Sequence, residues 1–303
     1  MYFPIAYEEP VFRPPSEGRS LILQATIGCS QNQCRFCGMY KMKQFRLRSL
    51  ADLTQDLAKI TPLQRLKIQR VFLADGDALV YPQAQLVELL QLLQQQLPAL
   101  TRVSSYASPR SLTTKPRSLT TKSEAELRLL RENKLRILYF GLESGDSETL
   151  RLVNKGFDAE QMLDLCQKAK SAGLKLSVTA ILGLAGKARS REHAAATAEW
   201  INALSPEYFS LLTMFRRHND DYFTSIDPLS HGEVMAETLD ILQQLHPQKT
   251  ILRSNHVSNF LNLAGSYPKD RQRLIDTAQQ AFDAAQRDPA WFNEVPSYCE
   301  QLY

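Results

Sequence analysis

Three of the five cysteines in this 303-residue chain, Cys29, Cys34 and Cys37, fall within nine residues, in the stretch IGCSQNQCRFCGMYKMK from Ile27 to Lys43. The other two, Cys166 and Cys299, stand far away in the sequence. Thiols crowded as C-x4-C-x2-C form a metal-ligand pattern, and a loop flanked by Gly28 and Gly38 can wrap an inorganic group as a helix could not. A closed zinc site wants a fourth ligand, usually within a second close pair of Cys or His. The nearest histidine is His193, and no second pair follows it, so zinc remains an awkward alternative. A 4Fe–4S cluster held by three thiolates leaves one iron without a protein ligand, available to bind and orient a small molecule. Three cysteines are then sufficient. The bland reading, three cysteines packed in a core, fits poorly with their crowding.

The elements that must position this loop alternate. SLILQATIG reads as a buried strand ending at Cys29, residues 51–66 carry helical spacing, and RVFLAD (70–75) is again a strand. Pro82 sits where a first helical turn tolerates proline, and QAQLVELLQLLQQQL follows. RVSSYAS, a helix over 123–132, and LRILYFGLESG come next. Helices over 146–153 and 158–172 lead to LKLSVTAILGLAG, a helix over 191–204, and EYFSLLTMF. Strand–helix alternation with apolar strands implies an α/β fold built on a parallel sheet. Six such units make either an open doubly wound sheet or a partial (β/α)6 TIM-like barrel, and in both the chemistry gathers at the C-terminal strand ends. Cys29, Asp75-Gly76-Asp77 and Glu143-Ser144 all stand at such ends.

Past Phe215 the pattern loosens. A helix over 233–245, the segment KTILRSNHVSNFLNLAG and a helix over 269–286 are expected to form a mixed or helical extension packed on the barrel. The expected division is an N-terminal arm (1–19), a core barrel (20–217) and this extension (218–303). In RSNHVSN, the apolar run TIL before Arg253 could extend the sheet as a further strand. Arg253 and His256 would then emerge near the open side of the barrel, where Arg253 could grip an anionic group and His256 could move a proton. The competing reading is a satisfied turn network that braces the segment. A seven-residue tandem repeat, RSLTTKP (110–116) then RSLTTKS (117–123), reads as a lengthened surface loop.

Composition narrows the setting. The chain is 44% apolar and 22% charged with a net charge of +4, and it carries no polybasic run, so a nucleic-acid partner is not expected. The first twenty residues are acidic and proline-rich rather than a leader or an anchor, and no stretch approaches the ~18 apolar residues of a membrane span. An odd cysteine count makes no disulfide framework, and a reducing cytoplasm is the expected home.

The cysteine loop resembles that of the radical S-adenosylmethionine (radical SAM) enzymes, whose usual signature is C-x3-C-x-Φ-C with Φ aromatic, after the first strand of a partial (β/α)6 barrel. Phe36 matches the aromatic position, and one extra residue separates the first two cysteines. The stretch RPPSEGRSLILQATIGCSQNQCRFCGMYK looks like a stand-alone, iron–sulfur oxidoreductase-like subgroup. The resemblance implies that Cys29, Cys34 and Cys37 hold a 4Fe–4S cluster and that S-adenosylmethionine (SAM) binds its open iron. It places the methionine amino group at Asp75, Gly76 and Asp77, where Asp77 stands in place of the family's Glu. Glu143 and Ser144 would meet the ribose or methionine, Leu182 and Gly183 would line the adenine, and Arg216 is a further candidate. The implied activity is reductive cleavage of SAM to a 5′-deoxyadenosyl radical that abstracts hydrogen from an unidentified substrate. Its electron comes from a donor such as flavodoxin or ferredoxin. An iron–sulfur electron carrier or structural metal protein that never cleaves SAM is the reading from another class.

Overall fold

The computed structural model describes residues 3–112 and 122–298; Cys299 and residues 113–121 of the tandem repeat lie outside them. Contacts divide the chain into two units, one of residues 1–32, 39–140 and 165–176 and the other of residues 33–38, 141–164 and 177–303.

In the first unit, β1 (Leu21–Gln24), β2 (Arg70–Ala74), β3 (Arg102–Ala107) and β4 (Leu135–Glu143, whose last three residues belong to the second unit) adjoin in that order. All three pairings are parallel. Residues on both faces of β2 are buried, as a parallel sheet covered by crossover helices requires. The crossovers include α1 (Leu50–Ala58), α2 (Gln83–Gln96) and α3 (Glu124–Glu132). The register Gln24↔Ala74 brings β1 and β2 to an end at the same level, so the loop after β1 and the turn after β2 emerge side by side. A short ribbon, Thr26–Ile27 against Arg46–Leu47, closes the base of that loop.

The helix expected over 51–66 is two helices. Thr61 takes an extended backbone and caps a new helix at Pro62 by a reciprocal bond with Gln64. Proline disfavours helical backbone in the residue before it, so one continuous helix could not pass this point.

In the second unit, the sheet order continues from the end of β4 through β5 (Lys175–Leu182), β6 (Tyr208–Thr213) and β7 (Ile251–Ser254) to β8 (Leu263–Ser266). β5, β6 and β7 pair in parallel, and β8 returns antiparallel to β7. The TIL run therefore does extend the sheet, with Tyr208 opposite Ile251. In chain order the later helices are α4 (Ser147–Leu152), α5 (Ala159–Ser171, of which residues 165–171 belong to the first unit), α6 (Gly186–Leu204), α7 (His231–Gln244) and α8 (Arg271–Ala285). On α6 the buried positions His193, Thr197, Ile201 and Leu204 repeat at helical spacing and turn one face inward. Cys166, on α5, is fully buried, as its amphipathic setting suggests. No helix among the described residues is long and apolar enough to cross a membrane.

Candidate active site

The first unit carries Cys29 and the Asp75-Gly76-Asp77 turn. Gly28, at φ 73°, turns the chain out of the ribbon and into Cys29, which is half-buried. The turn after β2 lies directly against it. Gly76 donates to Gly28 O at 3.0 Å, and a Cβ on Gly76 would fall 2.9 Å from Cys29 Cα and Cβ. Only glycine lets the two backbones approach this closely.

The flanking carboxylates are fully buried. Asp75 Oδ2 accepts from Lys43 Nζ at 2.8 Å, Gly28 N at 3.0 Å and Gln24 Nε2 at 3.1 Å. Lys43 in turn donates to the carbonyls of Glu8 (2.5 Å) and Pro10 (2.7 Å), so the arm, the cysteine loop and the turn share one ammonium. Burial raises the Asp75 carboxyl pKa, against the pull of Lys43. Asp77 Oδ2 accepts from Ser108 Oγ at 2.5 Å and Ser30 Oγ at 3.2 Å, and burial pushes its pKa up to about 6. Oδ1 of each aspartate is buried with no hydrogen-bond partner among the described residues. Orphaned buried carboxylate oxygens are costly unless a ligand satisfies them. Two of them on the turn that backs Cys29 fit a site that receives an ammonium group.

The second unit anchors the rest of the loop. Cys34 and Phe36 sit in an apolar cluster with Val153, Leu184, Met214 and Tyr298, and Cys37 packs against it. Arg35 N donates to Val153 O at 2.8 Å, and Asn219 Nδ2 donates to Phe36 O at 2.5 Å. Gly38 passes so close to Arg217 that a Cβ there would lie 1.4 Å from its carbonyl oxygen. The loop is thus held by backbone bonds and packing.

Glu143, at φ 67°, is a non-glycine residue in the left-handed region at the end of β4, the kind of strain that collects at functional sites. Its Oε1 pairs with the buried Lys155 ammonium at 2.9 Å. Burial works against that charge, but Glu143 and the negative charge of Cys34 and Cys37 as thiolates outweigh it and raise the lysine's pKa. Ser144 is buried and meets His193. At the end of β5, Leu182 is buried, and Gly183 then turns the chain at φ 78°. Arg216 lies over the Phe223 ring at 4.8 Å, and its amide donates to Tyr298 O.

Arg253 is exposed on β7 and donates to the carbonyl of its own neighbour, Leu252. His256 Nδ1 meets Ser258 Oγ at 2.8 Å, and burial lowers its pKa. Asn259 ties the segment to β6, accepting from Thr213 N at 2.8 Å and donating to Leu211 O at 2.7 Å.

Several residues of these networks gave no sign in the sequence reading. Lys43, Lys155 and Asn219 look like ordinary polar loop residues, and only the folded chain shows what they hold. His193 and Glu237 carried a faint signal, as polar residues on otherwise apolar helix faces. Among the described residues no three His, Cys, Asp or Glu side chains are gathered as a ready-made site for a metal ion. A polynuclear cluster spaces its thiolates more widely than a single tetrahedral ion does, so three cysteines on one loop suit it better.

A family model for the radical SAM superfamily matches residues 23–201, more than half of the chain. A candidate methylthiotransferase of Methanocaldococcus jannaschii is 22% identical over 162 residues, 53% of this chain and 34% of that protein. The chain therefore spans about a third of the length of that curated relative. Among solved structures, methylornithine synthase superposes with a TM-score of 0.53 at 14% identity, covering 88% of this chain and 81% of that one. Coproporphyrinogen III oxidase of Escherichia coli gives 0.53 at 22% identity, covering 74% and 50%. The methyltransferase TsrM of Kitasatospora setae, with cobalamin and a 4Fe–4S cluster bound, gives 0.57 at 14% identity, covering 86% and 61%. At these identities the likeness is one of fold: an α/β architecture of the radical SAM barrel kind.

Proposed function

The chain belongs to the radical SAM superfamily, and from that premise we propose that it cleaves SAM reductively and abstracts hydrogen from a substrate at the strand ends. Like other members it is an enzyme that works with a 4Fe–4S cluster and SAM. When bound, the cluster supplies one electron, drawn from an external flavodoxin- or ferredoxin-like donor, that breaks the sulfonium and leaves a 5′-deoxyadenosyl radical.

The chain's own residues have three tasks. Cys29, Cys34 and Cys37 hold the cluster, and Phe36 shields it with the apolar packing around Cys34. Asp75 and Asp77 offer their partnerless buried oxygens to the methionine ammonium across the Gly76 turn. Glu143, Ser144, Leu182, Gly183 and Arg216 take the remaining polar and adenine contacts. Arg253 and His256 are assigned to the substrate side, and exposed Arg253 would meet an anionic group.

The observation that carries this reading is the contact of the Asp75-Gly76-Asp77 turn with Cys29. That turn carries two buried carboxylate oxygens without a hydrogen-bond partner among the described residues. Reconstituted anaerobically and reduced with dithionite, the protein is expected to convert SAM to 5′-deoxyadenosine and methionine. Full cluster loading with no 5′-deoxyadenosine would reject the proposal in favour of an electron carrier.

A further inference from the structure

Behind the candidate SAM contacts, the second unit contains a buried polar chain that the cleavage chemistry does not use. Ser144, His193 and Glu237 are at most 2% exposed. Ser144 Oγ lies 2.7 Å from His193 Nδ1 and accepts from Asp146 N at 3.0 Å. Glu237 Oε1, reaching in from α7, accepts from Gly183 N at 2.7 Å, and Oε2 bonds Ser190 Oγ. His193 Nε2 stands 3.7 Å from Glu237 Oε1, beyond hydrogen-bond reach, and makes no hydrogen bond among the described residues. The Ser144 hydroxyl can donate to Nδ1 or accept from it, since Asp146 N uses only one of its two lone pairs.

The helical spacing of α6 makes this more than an isolated bond. Arg189 grips Asp146 through two bonds of 2.8 and 2.9 Å, and Thr197 Oγ1 accepts from Gly145 N at 3.0 Å. Gly145 itself sits so tightly on α6 that a Cβ would fall 2.2 Å from Ala196 O. Residues 193 and 197 lie one step of four apart on that helix, Arg189 stands at its kink with φ −133°, and each of the three holds one residue of the Ser144-Gly145-Asp146 turn. Glu237 does the same for the turn after β5.

We propose that His193 and Glu237 are positioning residues for SAM. His193 fixes the turn after β4, and Glu237 fixes the turn after β5. Together they hold Glu143-Ser144 and Leu182-Gly183 in place without touching the cofactor. This rests on the assignment of those two turns to SAM. The role is purely geometric: no proton or electron passes through the chain. Desolvation raises the Glu237 carboxyl pKa to about 7 and lowers that of the His193 imidazole to about 4.

Substitution of His193 tests it, because the amide of asparagine can keep a hydrogen bond to Ser144 Oγ while leucine cannot. SAM affinity is read from the spectral change of the reduced cluster during a SAM titration, well below the melting temperature. His193→Leu is expected to weaken SAM roughly ten-fold, the scale of one lost hydrogen bond. His193→Asn should stay within about three-fold of wild type on the same scale, and both variants should keep full iron. Wild-type affinity in a folded His193→Leu protein would overturn the proposal, as would equal weakening in both variants. If His193→Leu does not fold, Thr197→Val removes only the acceptor for Gly145 N and should weaken SAM several-fold; no change there would overturn the proposal too. A wild-type protein whose spectrum ignores SAM would instead overturn the SAM assignment itself.

Discussion

Replacing Glu237 with glutamine removes a buried acid while keeping its shape. Glutamine's carbonyl can still accept from Gly183 N, and its amide can donate to Ser190 Oγ, so the bonds survive and only the ionisation is lost. Burial raises the Glu237 pKa from 4.5 to about 7. A folded pKa above the unfolded value means the folded state binds the proton more tightly. The stability it contributes is complete below pH 4.5 and is lost as pH rises through about 7. At 1.36 kcal/mol per pKa unit, the loss between pH 5 and pH 8 is about 2–3 kcal/mol. His193 slopes the other way, because its pKa is lowered from 6.5 to about 4 and its contribution is lost as pH falls through that range. Comparing wild type with Glu237→Gln cancels His193 and every other titration common to both. Melting temperatures measured across pH 5–8 should show the variant gaining on wild type as pH rises, by several degrees at pH 8. A gap that does not change with pH would refute the reasoning, for it would mean that Glu237 is ionised in the folded protein throughout.

Three further outcomes follow from the loop. Alanine at Cys29, Cys34 or Cys37 should each strip most of the iron after anaerobic reconstitution, whereas Cys166→Ala should retain it; iron and sulfide assays decide. Lys43→Met leaves the Asp75 carboxylate buried without its ammonium, a change that costs about 3–5 kcal/mol where a buried pair is broken. Its melting temperature should fall sharply, and an unchanged value would show that the pair is not buried in solution. Gly38→Ala forces a Cβ against the Arg217 carbonyl, so iron uptake should drop even where the protein stays soluble.

How much of this was legible in the sequence depends on distance along the chain. The cysteine loop is local, and its residue types and spacing announce its chemistry directly. The strand ends were also readable, because apolar runs that finish in Gly, Asp or Glu mark where a parallel sheet stops and its functional loops begin. Register was not readable. That Gln24 stands opposite Ala74, and so lays the Asp75 turn on Cys29, is settled by packing between residues fifty positions apart. The buried partners were hidden for the same reason: Lys43 meets Asp75 across thirty-two positions, and Glu237 meets Gly183 across fifty-four. Helix boundaries failed where one residue overruled a pattern, as Pro62 does within the apolar spacing of 51–66. In the RSNHVSN segment, too, the partners were hidden, since Asn259 bonds to β6 across forty-six positions.

The central claim is that three cysteines hold a cluster whose remaining iron takes SAM. Electron paramagnetic resonance of the anaerobically reconstituted, dithionite-reduced protein tests this most directly, recorded before and after SAM is added. The account predicts a reduced 4Fe–4S signal at four irons per chain whose line shape changes as SAM saturates the site. A full-strength signal that stays identical at saturating SAM would contradict it.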